Sequence, residues 1–259
     1  MSARPGRLVL MPNTLDLGAT PEPIDQVLTA HALQRAAHLK HWVVESAKTA
    51  RAFLKRVDAH AALTTPLQQL SIQELPRARK GSGTSVDSAE WKALLAPALA
   101  GHDIGLLSDA GLPAVADPGA ALVATAHTLG LTVEPMAGAS SVTLAVAASG
   151  LNGQRFAFEG YLPQNSAERL QRVRELEQRS RREGQTQLVI ETPYRNEGLL
   201  KALSDALHPD TRLSVACGLT SQAGWCRTQH VSAWRRELQE SERPLMPDTL
   251  PAVFMWLAG

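Results

Sequence analysis

Cysteine is nearly absent: Cys217 and Cys226 are the only two in 259 residues. Two are too few for a disulfide framework, and their spacing matches no zinc pattern, so a reduced chain without a metal is expected. Long apolar runs are missing as well. The start, MSARPGRLVLMPN, offers a short apolar run where a signal peptide needs about 7 to 15 residues, and nothing reaches the roughly 18 of a membrane span. A soluble, cytoplasmic protein with no membrane association is the expectation. Nor is there an excess of either charge. Lys plus Arg total 26 against 25 for Asp plus Glu, a net +1, so no global field draws the chain to nucleic acid and any RNA contact needs a local patch.

Familiar cofactor and nucleophile motifs are also lacking. GSGTSV, residues 81–86, has no third glycine and follows Ala78-Arg79-Lys80 rather than an apolar strand, and no phosphate-binding Walker pattern occurs, which disfavours NAD and ATP. AGASSV, Ala137 to Val142, cannot be a nucleophile elbow because Val142 stands where the second glycine is required. His38 and His41 have no carboxylate or cysteine placed to complete a metal site and read as surface histidines.

What is present is 44% hydrophobic residues and a rhythm of short β-like runs alternating with helical patterns, the mark of an α/β protein with a largely parallel sheet. Strands are expected at Arg7 to Met11, Trp42 to Val44, Leu70 to Leu75, Ile104 to Leu107 and Leu131 to Pro135. Between them, helical spacing appears from Ile24 to Ala32, from Ser46 to Val57, from Ser88 to Leu99, and from Asp117, as N-cap with Pro118 in the first turn, to Leu129. Ser140 or Ser141 is expected to cap a helix ending at Gly150. Asn152-Gly153 then marks a junction, dividing the chain into an α/β domain of 1–150 and a mixed-sheet α/β domain of 151–259. The second is expected to hold strands from Phe156, Leu188, Arg212, Trp225 and Ala252, and helices from about Ser166, Asn196 and Ser232.

SDAGLPAVADPG, Ser108 to Gly119, is the strongest local signal. It follows a buried strand and precedes a helix, where loops leaving the carboxyl ends of parallel strands collect ligands. Gly111 lets a ligand approach the backbone, Pro113 and Pro118 stiffen the loop, and Asp109 and Asp117 offer acceptors. Ser140 and Ser141 have a similar strand-loop-helix setting. A Rossmann-type methyltransferase is the structural alternative: Glu45 supplies the acid after strand two, but Pro12 to Gly18, PNTLDLG, lacks the glycines.

The dodecapeptide resembles the SDAG-x-P-x-x-[SA]-DPG segment of the small-subunit ribosomal RNA 2′-O-ribose methyltransferase I family, within the tetrapyrrole methylases. AGASSVTLAVAASGL, RFAFEGYLP at Arg155 to Pro163, ETPYR at Glu191 to Arg195 and ACGLTSQAGWCRT from Ala216 resemble further motifs of that family, in the same order. The resemblance implies a homodimer with S-adenosylmethionine held in a cleft between the two domains. It implies donor contacts from Ser108, Asp109, Ala110, Gly111, Leu112, Pro113, Ser140, Ser141, Tyr161, Leu162, Ala216, Pro251 and Ala252. Ribosomal RNA, or the small ribosomal subunit, is the implied acceptor; a tetrapyrrole or other small metabolite is the alternative, and a non-enzymatic donor sensor a third. Departures gather in the acceptor half: MPNTLDLG displaces the family's opening glycine, Glu45-Ser46-Ala47-Lys48 replaces Glu-Asp-Thr-Arg, and Cys217-Gly218 replaces Arg-Glu. Asp109 and Glu45 are the candidate bases for a ribose hydroxyl. Arg77, Arg79 and Lys80, with the arginines from Arg169 to Arg182, are the candidate RNA contacts.

Overall fold

The computed structural model describes residues 4–16, 20–76 and 87–259, and its chain divides into two compact units. Unit one comprises the described residues up to Thr14 together with Pro23–Ala139; unit two comprises those of Leu15–Glu22 together with Ser140–Gly259.

Unit one is built on five parallel strands, β1 (Arg7–Met11), β2 (His41–Val44), β3 (Ser71–Glu74), β4 (Ile104–Leu107) and β5 (Thr132–Pro135), ordered β3-β2-β4-β1-β5. The central strands are apolar on both faces because helices cover both. On one side α1 (Ala30–Ala37) and α2 (Ala47–Asp58) pack Leu33, Phe53, Leu54 and Val57 against Val9, Met11, Trp42 and Val44. On the other, α3 (Ser88–Leu94), α4 (Ala96–Leu99) and α5 (Ala120–Thr128) cover Leu8, Val43, Ile104 and Leu106. Gly105 in β4 is set by this packing: a Cβ there would lie 2.5 Å from the Trp42 ring.

Unit two carries a mixed sheet of β6 (Phe156–Tyr161), β7 (Thr186–Glu191), β8 (Arg212–Cys217), β9 (Trp225–His230) and β10 (Ala252–Leu257), ordered β6-β7-β10-β8-β9. β6 and β7 are parallel; β10 runs antiparallel to β7 and β8, and β9 antiparallel to β8. One face packs on α7 (Ser166–Glu183), α8 (Asn196–Ala206) and α9 (Val231–Glu240), with Trp234, Phe254 and Trp256 fully buried. The other packs on α6 (Ser141–Ser149) through Val142, Ala145 and Val146. α6 thus groups with the strands that follow it, and the division between units falls at Ala139/Ser140, ahead of the junction expected after Gly150.

Local chemistry moves several helix starts. α5 begins at Ala120 rather than at Asp117, because Ala114, Ala116 and Gly119 all have positive φ and the chain coils through Asp117-Pro118 before turning helical. α3 is capped by Asp87, one residue ahead of Ser88, through its side chain and the Ala89 N–H. The spacing from Ile24 to Ala32 is two pieces, a 3-10 turn at Ile24–Gln26 and then α1, capped by Thr29. Ser140 occupies the N-cap position of α6 without a side-chain capping bond. His38 ends α1 while His41 opens β2, so the two do not share a helix face.

Candidate functional site

Parallel strands send every following loop out at one edge of the sheet, and in unit one three of those loops are tied together there. Asn13, beyond β1, is buried; its side-chain amide donates to the Ser108 carbonyl (3.1 Å) and the Asp109 carbonyl (3.0 Å), while its Oδ1 accepts from the Thr14 N–H. Its own N–H donates to the Gly111 carbonyl (2.8 Å), and the Gly111 N–H donates back to Thr14. Glu45, beyond β2, donates its N–H to the Leu107 carbonyl and accepts at Oε2 from the Asp109 N–H (3.1 Å). Gly111 sits at φ +63°, a conformation that a side chain with a Cβ resists.

This stapling satisfies the loop backbone and leaves side chains over. Ser108 is buried, yet its hydroxyl has no partner, and Asp109 Oδ1 is likewise buried and unpartnered. Unsatisfied buried polar atoms are costly, and two of the six such side-chain atoms among the described residues fall in this one loop. Asp117 returns to the same group. Burial, with the negative charges of Glu45 and Asp109 added, pushes its carboxyl up to about 7. Among the described residues no cluster of three His, Cys, Asp or Glu could hold a metal ion.

The residues expected to contact the donor from unit two gather at one edge of its sheet. Tyr161 closes β6, Leu162 follows it, and Ala252 opens β10 opposite both Glu191 and Cys217. Pro251 accepts from the Gly218 N–H (2.9 Å), and the buried Asn196 amide holds the Leu250 carbonyl (2.9 Å). Ala216 is one residue in from the edge, packed with Val142 and Val253. Tyr161 is exposed, whereas Ser140, Leu162, Ala216 and Ala252 are buried.

Thus Ser108 to Pro113 and Glu45 come together in unit one, and Tyr161, Leu162, Ala216, Pro251 and Ala252 in unit two, with Ser140 and Ser141 at the start of α6. One contributor escaped the sequence reading: Asn13 gives no sign in its own segment of reaching the second loop, a pairing that exists only through strand order. Asp117, expected both as an acceptor of the loop and as a helix cap, joins the carboxylate group. Arg77, Arg79 and Lys80 lie outside the described residues. The arginines of α7 are described, and three of the six make ion pairs: Arg172 and Arg179 both reach Glu159 at 2.6 Å, and Arg182 pairs with Glu183.

Fold and loop together define an α/β protein of two units with a ligand-type loop at the carboxyl edge of a parallel sheet. The chain belongs to the tetrapyrrole (corrin/porphyrin) methylase family, whose model matches residues 27–239. It is 37% identical over 146 residues to a ribosomal RNA small subunit methyltransferase I of Synechocystis sp., covering 56% of this chain and 48% of that protein. A Pseudomonas aeruginosa protein of the same name is 40% identical over 105 residues (40% and 35%), and one of Mycobacterium bovis 31% identical over 174 (67% and 53%). The chain therefore spans about half the length, or less, of these curated relatives. In fold it is similar to the methyltransferase CobJ (TM-score 0.56, 13% identity, covering 98% of this chain and 100% of that one). It is also similar to a Thermus thermophilus uroporphyrin-III C-methyl transferase complexed with S-adenyl homocysteine (TM-score 0.50, 14% identity, 97% of each).

Proposed function

We propose that this chain is an S-adenosylmethionine-dependent methyltransferase whose acceptor is a ribose 2′-hydroxyl of small-subunit ribosomal RNA. The observation that carries the reading is the stapled loop, with its unpartnered Ser108 hydroxyl and Asp109 Oδ1 beside Glu45 and Asp117. The residues present fit a donor of this kind: it is cationic, and the loop offers carboxylates and free acceptors together with a glycine that keeps the backbone approachable. Ser108 to Pro113 would hold it, and Ser140, Ser141, Tyr161, Leu162, Ala216, Pro251 and Ala252 are the further donor contacts that this reading includes. When bound, the donor supplies an already activated methyl group.

What remains for the protein is to align the acceptor, exclude water and take up its proton. A ribose hydroxyl is a weak nucleophile at neutral pH, and a base is most effective when its pKa lies near the working pH. Asp117, titrating at about 7, meets that condition, with Glu45 and Asp109 keeping its proton affinity high. The names of the relatives support RNA as acceptor, and the same reading includes a homodimer and a cytoplasmic setting.

Small ribosomal subunits from a strain lacking this protein, incubated with it and methyl-labelled donor, should acquire label in RNA at a ribose 2′-oxygen. Label in a tetrapyrrole or another small metabolite, and none in RNA, would overturn the acceptor. Absence of calorimetric binding to S-adenosylmethionine and its demethylated product would overturn the donor.

A further inference from the structure

A chain with a net charge of +1 can hold a polyanion only where it concentrates unneutralised cations, and several of its described guanidinium groups are held in ion pairs. Arg35 is held by Asp103 and Glu134, Arg195 by Glu191 and Arg227 by Glu237. On α7, the most arginine-rich helix, Arg172 and Arg179 are held by Glu159 and Arg182 by Glu183, while Arg174 and Arg181 make no ion pair among the described residues and form the competing surface. α2 differs. Its buried face is Ala50, Phe53, Leu54 and Val57. The opposite face presents Lys48, Arg51 and Lys55, all exposed, and none makes an ion pair among the described residues.

Helix stability accounts for Lys55, which lies in the last turn, but not for the arrangement as a whole. Lys48 lies in the first turn, where the helix dipole disfavours a cation. Lys48 and Arg51 are three residues apart, Arg51 and Lys55 four, and like charges at those spacings repel. Glu74 accepts from the Ala47 N–H and Asp58 from the Leu63 N–H, and neither makes an ion pair with these cations. Three mutually repelling cations within about 10 Å along the axis call for an anion from outside. The row also starts in the right place. α2 leaves the carboxyl edge of the parallel sheet directly after Glu45, whose carboxylate accepts from Asp109.

We propose that the exposed face of α2, through Lys48, Arg51 and Lys55, binds the sugar-phosphate backbone of the RNA that presents its ribose to the loop Ser108–Pro113. The inference rests on the RNA reading above and adds to it the surface that holds the substrate. Contacts of this kind position a substrate without reading its sequence, leaving selection of the nucleotide to groups nearer the loop.

The test replaces Lys48→Gln, Arg51→Gln and Lys55→Gln together. A second protein carries Arg174→Gln, Arg181→Gln and Arg182→Gln on α7, an equal loss of charge. Binding of small-subunit ribosomal RNA is measured for parent and both variants across a salt series, with donor titration and thermal unfolding on each. The α2 variant should keep its fold and donor affinity, bind RNA at least about tenfold more weakly at low salt, and show a log-log salt slope shallower by about 2, from roughly 0.7 per lost phosphate contact. The α7 variant should track the parent. An α2 variant with the parental slope, or an α7 variant with the larger change, overturns the assignment while leaving the RNA reading in place. A parent that binds donor but shows no salt-dependent RNA binding overturns both.

Discussion

Asp117 holds its proton at pH values where an exposed aspartate has long lost it. Its folded-state pKa of about 7 lies above the 3.8 of an unperturbed aspartate, so the folded chain binds more protons than the unfolded one between those values. Stability conferred by this residue is therefore present below about pH 4 and is lost as pH rises through 7. Asp117→Asn should stabilise the protein at pH 8, on the order of 1–3 kcal/mol allowing for partial exposure, and leave it unchanged near pH 3; denaturant midpoints at the two values check this. The same substitution should remove the rise in methylation rate expected through pH 7 in the parent, since only the deprotonated carboxyl accepts a proton. A parental rate flat from pH 6 to 8 would assign the base elsewhere. Gly111→Val puts a branched side chain at φ +63° in the stapled loop, and should cost roughly 1–2 kcal/mol of stability and lower donor affinity more than tenfold by calorimetry. Burial pushes the Cys217 thiol up to about 11, so alkylation of the folded protein at pH 8 should label the partly exposed Cys226 and spare Cys217.

At the scale of elements, β4 is held to its neighbour by the absence of a side chain. Gly105→Ala would drive a methyl group into Trp42, and overpacking of this kind should lower unfolding stability by about 1–3 kcal/mol, read from the denaturant midpoint. The strands themselves are readable in the sequence because β1, β2 and β4 are short apolar runs bounded by polar turns, and the ten strands among the described residues fall where the alternating pattern puts them to within a residue or two. Helix starts were less legible. A cap depends on which backbone conformation precedes it, and the positive φ of Ala114 and Ala116, residues that seldom adopt it, leaves no mark in the sequence. The site divided along the same line. Ser108 to Pro113 declared itself through two glycines, two prolines and two aspartates in a dozen residues, which is local information. Asn13 reaching Ser108, and Asp117 reaching Glu45, depend on β4 lying between β1 and β2, and sequence distance conceals that order.

For the molecule as a whole, balanced charge conceals an uneven distribution. Half of the arginines that look like a nucleic-acid surface along α7 are ion-paired, while three inconspicuous cations on α2 are not. A count of basic residues along the chain points to the first helix and the fold to the second. β1 carries a further consequence, and it concerns time rather than space. This strand is made well ahead of both its neighbours, for it lies inside its sheet, between β4 at Ile104–Leu107 and β5 at Thr132–Pro135. At ordinary elongation rates of about 5–20 residues per second, an apolar strand with both edges open must wait several seconds on the ribosome before its first partner is synthesised. Nascent chains arrested before Ile104 should therefore be captured by holding chaperones and turn insoluble on release, whereas chains arrested well beyond Pro135 should resist both. β8 and β9, joined by a short turn, have no such interval to survive.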